Sequence, residues 1–185
     1  MIIYIEGVDG SGKTTLINIL TERIKQLEDL KKVKLVEHAE ELIPTHPKRQ
    51  DRITKEKLIA ELQRMNSEIT TIYLIDRGPI SDIIYRTFDE HKPIMTMYEL
   101  QQLYSVLDNM FIVHCDSNKS FDAMTKRGDE NNISIKYHSE LRYLFNQVMP
   151  TFNSFKIDMF AEDQVKRKVD YLLAYLWGII DLRRP

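Results

Sequence analysis

Apolar residues along the chain fall into five short runs, separated by stretches in which they recur at helical spacing. Ile2-Ile3-Tyr4-Ile5 is a continuous run ending at Gly7, the pattern of a strand covered on both faces of a parallel sheet. Leu16, Leu20, Ile24 and Leu27 then share one helical face. Val33–Val36 is the second strand candidate, and Pro44–Arg52, with two prolines and four basic residues, reads as a loop. Thr54 is placed to cap a helix whose buried stripe is Leu58, Leu62, Met65 and Ile69. The third run, Ile72–Ile75, closes at Asp76 and is followed by helices from about Pro79 and about Thr96. Thr96 and Glu99 have the spacing of a capping box. Met110–His114 is the fourth strand, and Ser117 and Ser134 are cap candidates for two further helices. Ser154–Ile157 is the fifth, weakest strand, before a last helix carrying Val165, Val169, Leu172 and Leu176 on one face.

Strands alternating with helices predict an α/β fold with a mostly parallel five-stranded sheet. No linker or internal repeat interrupts the 185 residues, so positions 1–185 are read as a single domain. Ligands of such sheets bind beyond the carboxyl ends of the strands. The residues just after each strand therefore matter most.

Composition narrows the function classes. Twenty-six Lys+Arg against 28 Asp+Glu leave a net charge of −2, which argues against a dedicated nucleic-acid binder. With 43% apolar residues, six Gly and six Pro, the chain is neither low-complexity nor disordered. Its apolar runs are far below the roughly 18 residues a membrane span needs, so no membrane partner is expected. The stretch MIIYIEG lacks a basic segment ahead of its apolar run and does not read as a signal peptide. Cys115 is the one cysteine, so no disulfide forms within the chain, and a reducing, cytoplasmic setting is expected (host cytoplasm for a viral protein). The five histidines have no metal-ligand spacing.

The first strand leads into Gly7-Val8-Asp9-Gly10-Ser11-Gly12-Lys13-Thr14, the G-x-x-x-x-G-K-[ST] pattern opening a helix. Glycines allow backbone N–H groups to turn in around a polyphosphate, and the helix N-terminus adds partial positive charge. Lys13 is placed to reach the β- and γ-phosphates, and the Thr14 hydroxyl to bind Mg²⁺. The pattern arises by chance in about one chain in a hundred of this length. Asp76, ending the third strand, is a second Mg²⁺ candidate, and the adjacent Arg77 a phosphate contact.

The run IIYIEGVDGSGKTT resembles the phosphate loop of thymidylate kinases, including its Glu-Gly-x-Asp start. Asp76-Arg77-Gly78-Pro79-Ile80-Ser81, with Tyr85 four residues on, is similar to that family's Asp-Arg-Tyr-x-x-Ser-x-x-Ala-Tyr motif, and deoxynucleoside kinases share the architecture. Lys126-Arg127-Gly128-Asp129 falls where these kinases carry an arginine-bearing lid, here about residues 126–136. The resemblance implies a single P-loop kinase domain with sheet order 2-3-1-4-5, helices on both faces, and ATP with Mg²⁺ as phosphoryl donor. It implies nucleotide contacts from Gly7, Asp9, Gly10, Ser11, Gly12, Lys13, Thr14 and Thr15, metal contacts from Thr14 and Asp76, and catalytic roles for Lys13, Arg77, Arg127 and Asp9. Ser81 and Tyr85 fall on the acceptor side, and dimers are common in the family.

The chain departs from the family where an acceptor would bind. Thymidylate kinases carry Arg-Glu-Pro-Gly after the second strand; this chain has Val36-Glu37-His38-Ala39-Glu40-Glu41, and Gly78 replaces a tyrosine. Arg49, Arg52 and Arg64 are the basic candidates to replace the missing arginine, Arg64 because the family often has an acceptor arginine on that helix. Glu37 suits a general base on a hydroxyl, as deoxynucleoside kinases have there. Tyr85, Phe88 and Tyr104 are candidates to stack on a base. The expected small-molecule acceptor is a deoxynucleoside monophosphate such as dTMP. The alternative is a hydroxyl acceptor: a deoxynucleoside, or a hydroxymethylated pyrimidine in DNA contacted by the basic loop His46–Arg52. A nucleotide switch or ATPase subunit is a third class, but the chain has no guanine-reading Asn-Lys-x-Asp segment. A trimmed acceptor region would suit a phage kinase.

Overall fold

The computed structural model describes residues 1–45, 52–128 and 133–182. A five-stranded parallel sheet runs in the order β2-β3-β1-β4-β5. Its strands are β1 (Ile2–Glu6), β2 (Lys34–Val36), β3 (Thr71–Asp76), β4 (Met110–Cys115) and β5 (Phe155–Ile157). β1 lies in the middle, and its five residues are all buried. Side chains alternate across it: Ile2 and Tyr4 enter one core cluster, while Ile3 and Ile5 enter the other. That is why the run has no polar position until the last one.

The helices are α1 (Lys13–Lys25), α2 (Glu28–Lys31), α3 (Lys55–Ser67), α4 (Pro79–Phe88), α5 (Met97–Tyr104), α6 (Ser120–Arg127), α7 (Ile135–Val148) and α8 (Glu162–Leu182). α1 and α8 cover one face, with Leu16, Leu20, Ile24, Leu172 and Leu176 against Ile3, Leu74 and Val113. α3, α4, α5 and α7 cover the other, with Leu58, Leu62, Ile80, Leu100 and Phe145 against Ile2, Tyr4 and Ile75. Each such fully buried aliphatic side chain contributes about 1.5–3 kcal/mol of burial free energy.

Helix ends follow the expected caps at three places. Thr54 accepts from Lys57 N, Ser134 accepts from Tyr137 N, and Thr96 with Glu99 forms both halves of a capping box. Elsewhere the chain differs from its pattern. Ser117 is not a cap: α6 begins three residues later, and the Ser117 hydroxyl accepts from Lys119 N in a turn of its own. Ile69 lies past the end of α3, which stops at Ser67, and is exposed. Short 3₁₀ turns at Ala39–Glu41 and Met149–Phe152 lie where no element is expected, being too short to show a period. No helix among the described residues is long and apolar enough to cross a membrane.

Candidate functional site

The carboxyl ends of β1, β3 and β4 converge on the phosphate loop. The loop turns on glycines with left-handed backbones, and Gly10 (φ 76°) shows why no side chain is admitted there. A Cβ on Gly10 would fall 2.0 Å from the Ser120 carbonyl and 3.0 Å from Met124 of α6. No side chain has room at this position. Gly12, the residue capping α1, offers no side-chain acceptor. The first amides of α1 are therefore left for an anion. Lys13 is buried, and its Nζ donates to the Val8 carbonyl at 2.9 Å. Burial, and then the charge of Arg77, lower its pKa to about 8, although Asp76 and Asp9 pull the other way. Thr14 and Thr15 lie exposed in the first turn of α1.

β3 delivers Asp76 and Arg77 to the same place. In the parallel register Asp76 is level with Ile5, next to the start of the loop. Arg77 is buried; Nη1 donates to the Gly7 carbonyl at 2.9 Å and Nη2 makes an ion pair with Asp9. Its guanidinium lies 5.0 Å from the centre of the Tyr85 ring, whose hydroxyl donates to Asp9 Oδ2 at 3.3 Å. Burial works against the charge of Arg77, but Tyr85, Asp9 and Asp76 hold its pKa above the ordinary value. Burial raises the Tyr85 phenol to about 12, so it donates at neutral pH. From α7, His138 Nε2 meets the Asp9 carbonyl at 2.9 Å. Asp9 is thus gripped from two elements at once.

Three expected site residues are engaged elsewhere. Glu37 is paired with Lys25 of α1 at 2.5 Å. β2 is short and Val36 is level with Tyr73, so Glu37 sits two register positions, about 7 Å, short of Asp76. The chain then turns at His38, in a left-handed conformation, into Ala39–Glu41, and it is Glu40 that reaches the end of β3. Its Oε2 accepts from Asp76 N at 3.4 Å. Arg64 lies at the other end of the sheet, beside the start of β3, in ion pairs with Glu61 at 2.9 Å and Glu68 at 2.5 Å. The Ser81 hydroxyl is fully buried and donates to Glu6, not into a cleft. Arg127 ends α6 beside Gly128. Of the expected lid, about 126–136, residues 129–132 lie outside the described residues, and 134–136 form the cap and first turn of α7. Positions 46–51 of the expected basic loop, Arg49 included, also lie outside the described residues.

Two constellations lie outside what the sequence reading expected. Asp82 of α4 is fully buried and shared by Arg52 Nη2 at 2.7 Å and Arg86 Nε at 3.0 Å, with Ile94 N at 2.7 Å. Only the Asp82–Arg86 spacing of four hinted at a pair. It lies where α4 meets the segment joining β2 to α3. That segment is tied down again by the Thr45 hydroxyl, which donates to the Arg77 carbonyl at 3.2 Å. The second is Asp116, just after β4, held by Arg142 of α7 at 2.5 Å and Lys156 of β5 at 2.7 Å. Arg142 stands one helical turn beyond His138, so this ion pair anchors the helix that touches Asp9.

Fold and site together define an α/β protein with a phosphate loop at the carboxyl ends of a 2-3-1-4-5 sheet, the fold that P-loop kinases have. Among solved structures, the chain is similar to the YorR protein of Bacillus subtilis, determined with phosphorylated GDP (18% identity over 94% of this chain and 96% of that one, TM-score 0.64). It is also similar to the deoxyadenosine kinase of M. mycoides (19%, 97% and 100%, TM-score 0.50) and to the thymidylate kinase of Ehrlichia chaffeensis (17%, 95% and 97%, TM-score 0.50). No family model and no curated protein matches the sequence.

Proposed function

We propose that the protein is a kinase that transfers the γ-phosphoryl group of ATP to a deoxynucleoside-type acceptor. The observation that carries this reading is the direct coupling of the phosphate loop to the Asp76-Arg77 motif, through Arg77 to the Gly7 carbonyl and to Asp9. The residues present fit a nucleotide with Mg²⁺. The first turn of α1 is uncapped, and Asp76 Oδ1 is buried without a partner among the described residues, as a carboxylate kept for a cation or its water would be. Thr14 and Asp76 would hold Mg²⁺, and Lys13 with the loop amides would hold the phosphates. When bound, Mg²⁺ neutralises charge on the phosphates. Lys13 and Arg77 add fixed positive charge in a site already shielded from water, where it acts most strongly on charge developing at the transferred group. Arg127, at the end of α6, would add to it from the lid.

The acceptor is read from the end of β2. An arginine there would suit a monophosphate such as dTMP; the residue that reaches Asp76 instead is Glu40. A carboxylate repels an acceptor phosphate and serves a hydroxyl as general base. This supports a deoxynucleoside hydroxyl, with Glu40 in the role expected of Glu37, over the dTMP reading. Arg52 and Arg86, fixed by the buried Asp82, would supply donors on the same side for a base edge. The test is ATP consumption against the four deoxynucleosides, the corresponding monophosphates, dUMP, hydroxymethyl-dUMP, and DNA with and without hydroxymethylated pyrimidines. Turnover on deoxynucleosides alone is expected. Turnover on monophosphates alone would return the assignment to a thymidylate-kinase-like activity, and turnover on modified DNA would call for steep salt dependence.

A further inference from the structure

Glu6, the last residue of β1, is fully buried, and among the described residues it forms no salt bridge. A carboxylate in that position is costly unless its oxygens are well used. Both are taken by the Asp-Arg motif. Oε1 accepts from Gly78 N at 2.9 Å, and Oε2 accepts from the Ser81 hydroxyl.

Immediately before those two donors stands Arg77, with a left-handed backbone (φ 63°). A side chain other than glycine holds that conformation at a steric cost, and only where its surroundings over-determine it. They do so here. Arg77 N donates to the Ile5 carbonyl at 3.0 Å, the Arg77 carbonyl accepts from Thr45 at 3.2 Å, and Glu6 holds the next amide. Position 78 is closed by the same strand. A Cβ on Gly78 would lie 2.5 Å from the Tyr4 ring and 3.0 Å from Glu6 Oε1. Tyr4 and Glu6, two residues apart on one face of β1, thus fill the room a side chain at 78 would need.

We propose that Glu6 is a positioning residue: its carboxylate fixes the Arg77–Gly78 peptide so that the Arg77 guanidinium meets the Gly7 carbonyl and Asp9. It does not touch substrate. Its effect on phosphoryl transfer is exerted through Arg77, which makes the inference rest on the kinase reading above. Arg77 joins the two site motifs, and a misplacement of about 1 Å there costs on the order of a hundredfold in rate.

Glu6→Gln and Ser81→Ala test this. Glu6→Gln keeps an acceptor for Gly78 N and changes the partner of Ser81. Ser81→Ala removes one donor and leaves Glu6 in place, so it remains informative if the first variant folds poorly. Steady-state kcat and KM for ATP would be measured with the best acceptor, alongside hydrogen exchange at the Gly78 amide. The expected result is a fall in kcat of about tenfold or more for Glu6→Gln. KM for ATP should stay within about threefold, and the Gly78 amide should exchange faster in both variants. A folded Glu6→Gln with kcat within twofold of the parent, and Gly78 exchange unchanged in both variants, would overturn the proposal. Failure of the kinase reading looks different: the parent protein itself would turn over no acceptor, and exchange at Gly78 would then decide the role of Glu6 alone.

Discussion

The two regions proposed to hold the phosphoryl donor and the acceptor are built in opposite ways. Phosphate binding is assigned to eight consecutive residues between one strand and one helix, held down by contacts that exclude side chains, such as Ser120 over Gly10. The acceptor side proposed above draws on distant pieces: Glu40 from a turn after a three-residue strand, Arg52 from the approach to α3, Asp82 and Arg86 from α4, and Tyr85 over Arg77. A polyphosphate is the same object in every enzyme of this kind, so a fixed local cradle serves. An acceptor differs from enzyme to enzyme, and a surface drawn from several elements is free to change piece by piece.

If that division is right, mutations on the two sides should fail in different ways. The largest effect is expected at Lys13. Lys13→Ala should lower kcat about a thousandfold with every acceptor, because a preorganised charge next to the transferred group is lost. Its thermal unfolding should stay near that of the parent protein. Turnover surviving in this variant would remove the phosphate loop from the reaction.

Asp82→Ala should act on stability first. It leaves Arg52 and Arg86 facing each other without the carboxylate that separates them, a loss of about 3 kcal/mol in denaturant unfolding. Asp82→Asn should cost less, and any activity retained should show a changed acceptor preference with KM for ATP near normal. An unchanged preference would take Asp82 out of the acceptor side.

The end of β2 offers the sharpest contrast between neighbours. Glu40→Gln should reduce turnover on a hydroxyl acceptor about a hundredfold. Glu37→Gln, which only loses a partly exposed pair with Lys25, should stay within about twofold. The reverse order would mean that the strand end rearranges when the acceptor binds.

The smallest effects are those of pH. Lys13 titrates at about 8 in the folded chain against 10.5 for the ordinary side chain. A bound polyphosphate favours the charged form, so nucleotide binding should take up a proton and weaken as pH rises above about 8. Without nucleotide the sign for stability is opposite to that for affinity. Between about 8 and 10.5 the unfolded chain holds more protons, so Lys13 contributes stability that grows with pH. His114 acts at the acid end. Burial lowers it to about 4 from 6.5, so its contribution is lost as pH falls through that window. Titration of binding by calorimetry and of unfolding by denaturant, in His114→Gln and the parent, separates the two.

Much of the fold is legible in the amino-acid sequence. The five strands, their helices, three of the caps and the 2-3-1-4-5 order all stand where pattern and resemblance place them. The donor loop is legible because its chemistry is written in consecutive residues. The acceptor side is not. Glu37 is the carboxylate to expect because it directly follows the second strand, and it misses because β2 stops at the level of Tyr73. Arg64 is expected by analogy of helix, but it falls at the end of α3 farthest from the loop, where Glu61 and Glu68 take it.

Local sequence sets the period of each element, the caps of α3, α5 and α7, and the glycine-rich run of the phosphate loop with its left-handed turns. These are properties of neighbours along the chain, governed by sterics and hydrogen bonds over a few residues. Packing of the whole chain was needed to bring Glu40 rather than Glu37 to Asp76, to place Asp82 between two arginines, and to join Glu6 to Gly78 and Ser81 across more than seventy residues of chain. Such contacts depend on strand register and on where a strand ends. No local pattern of residues encodes those distances.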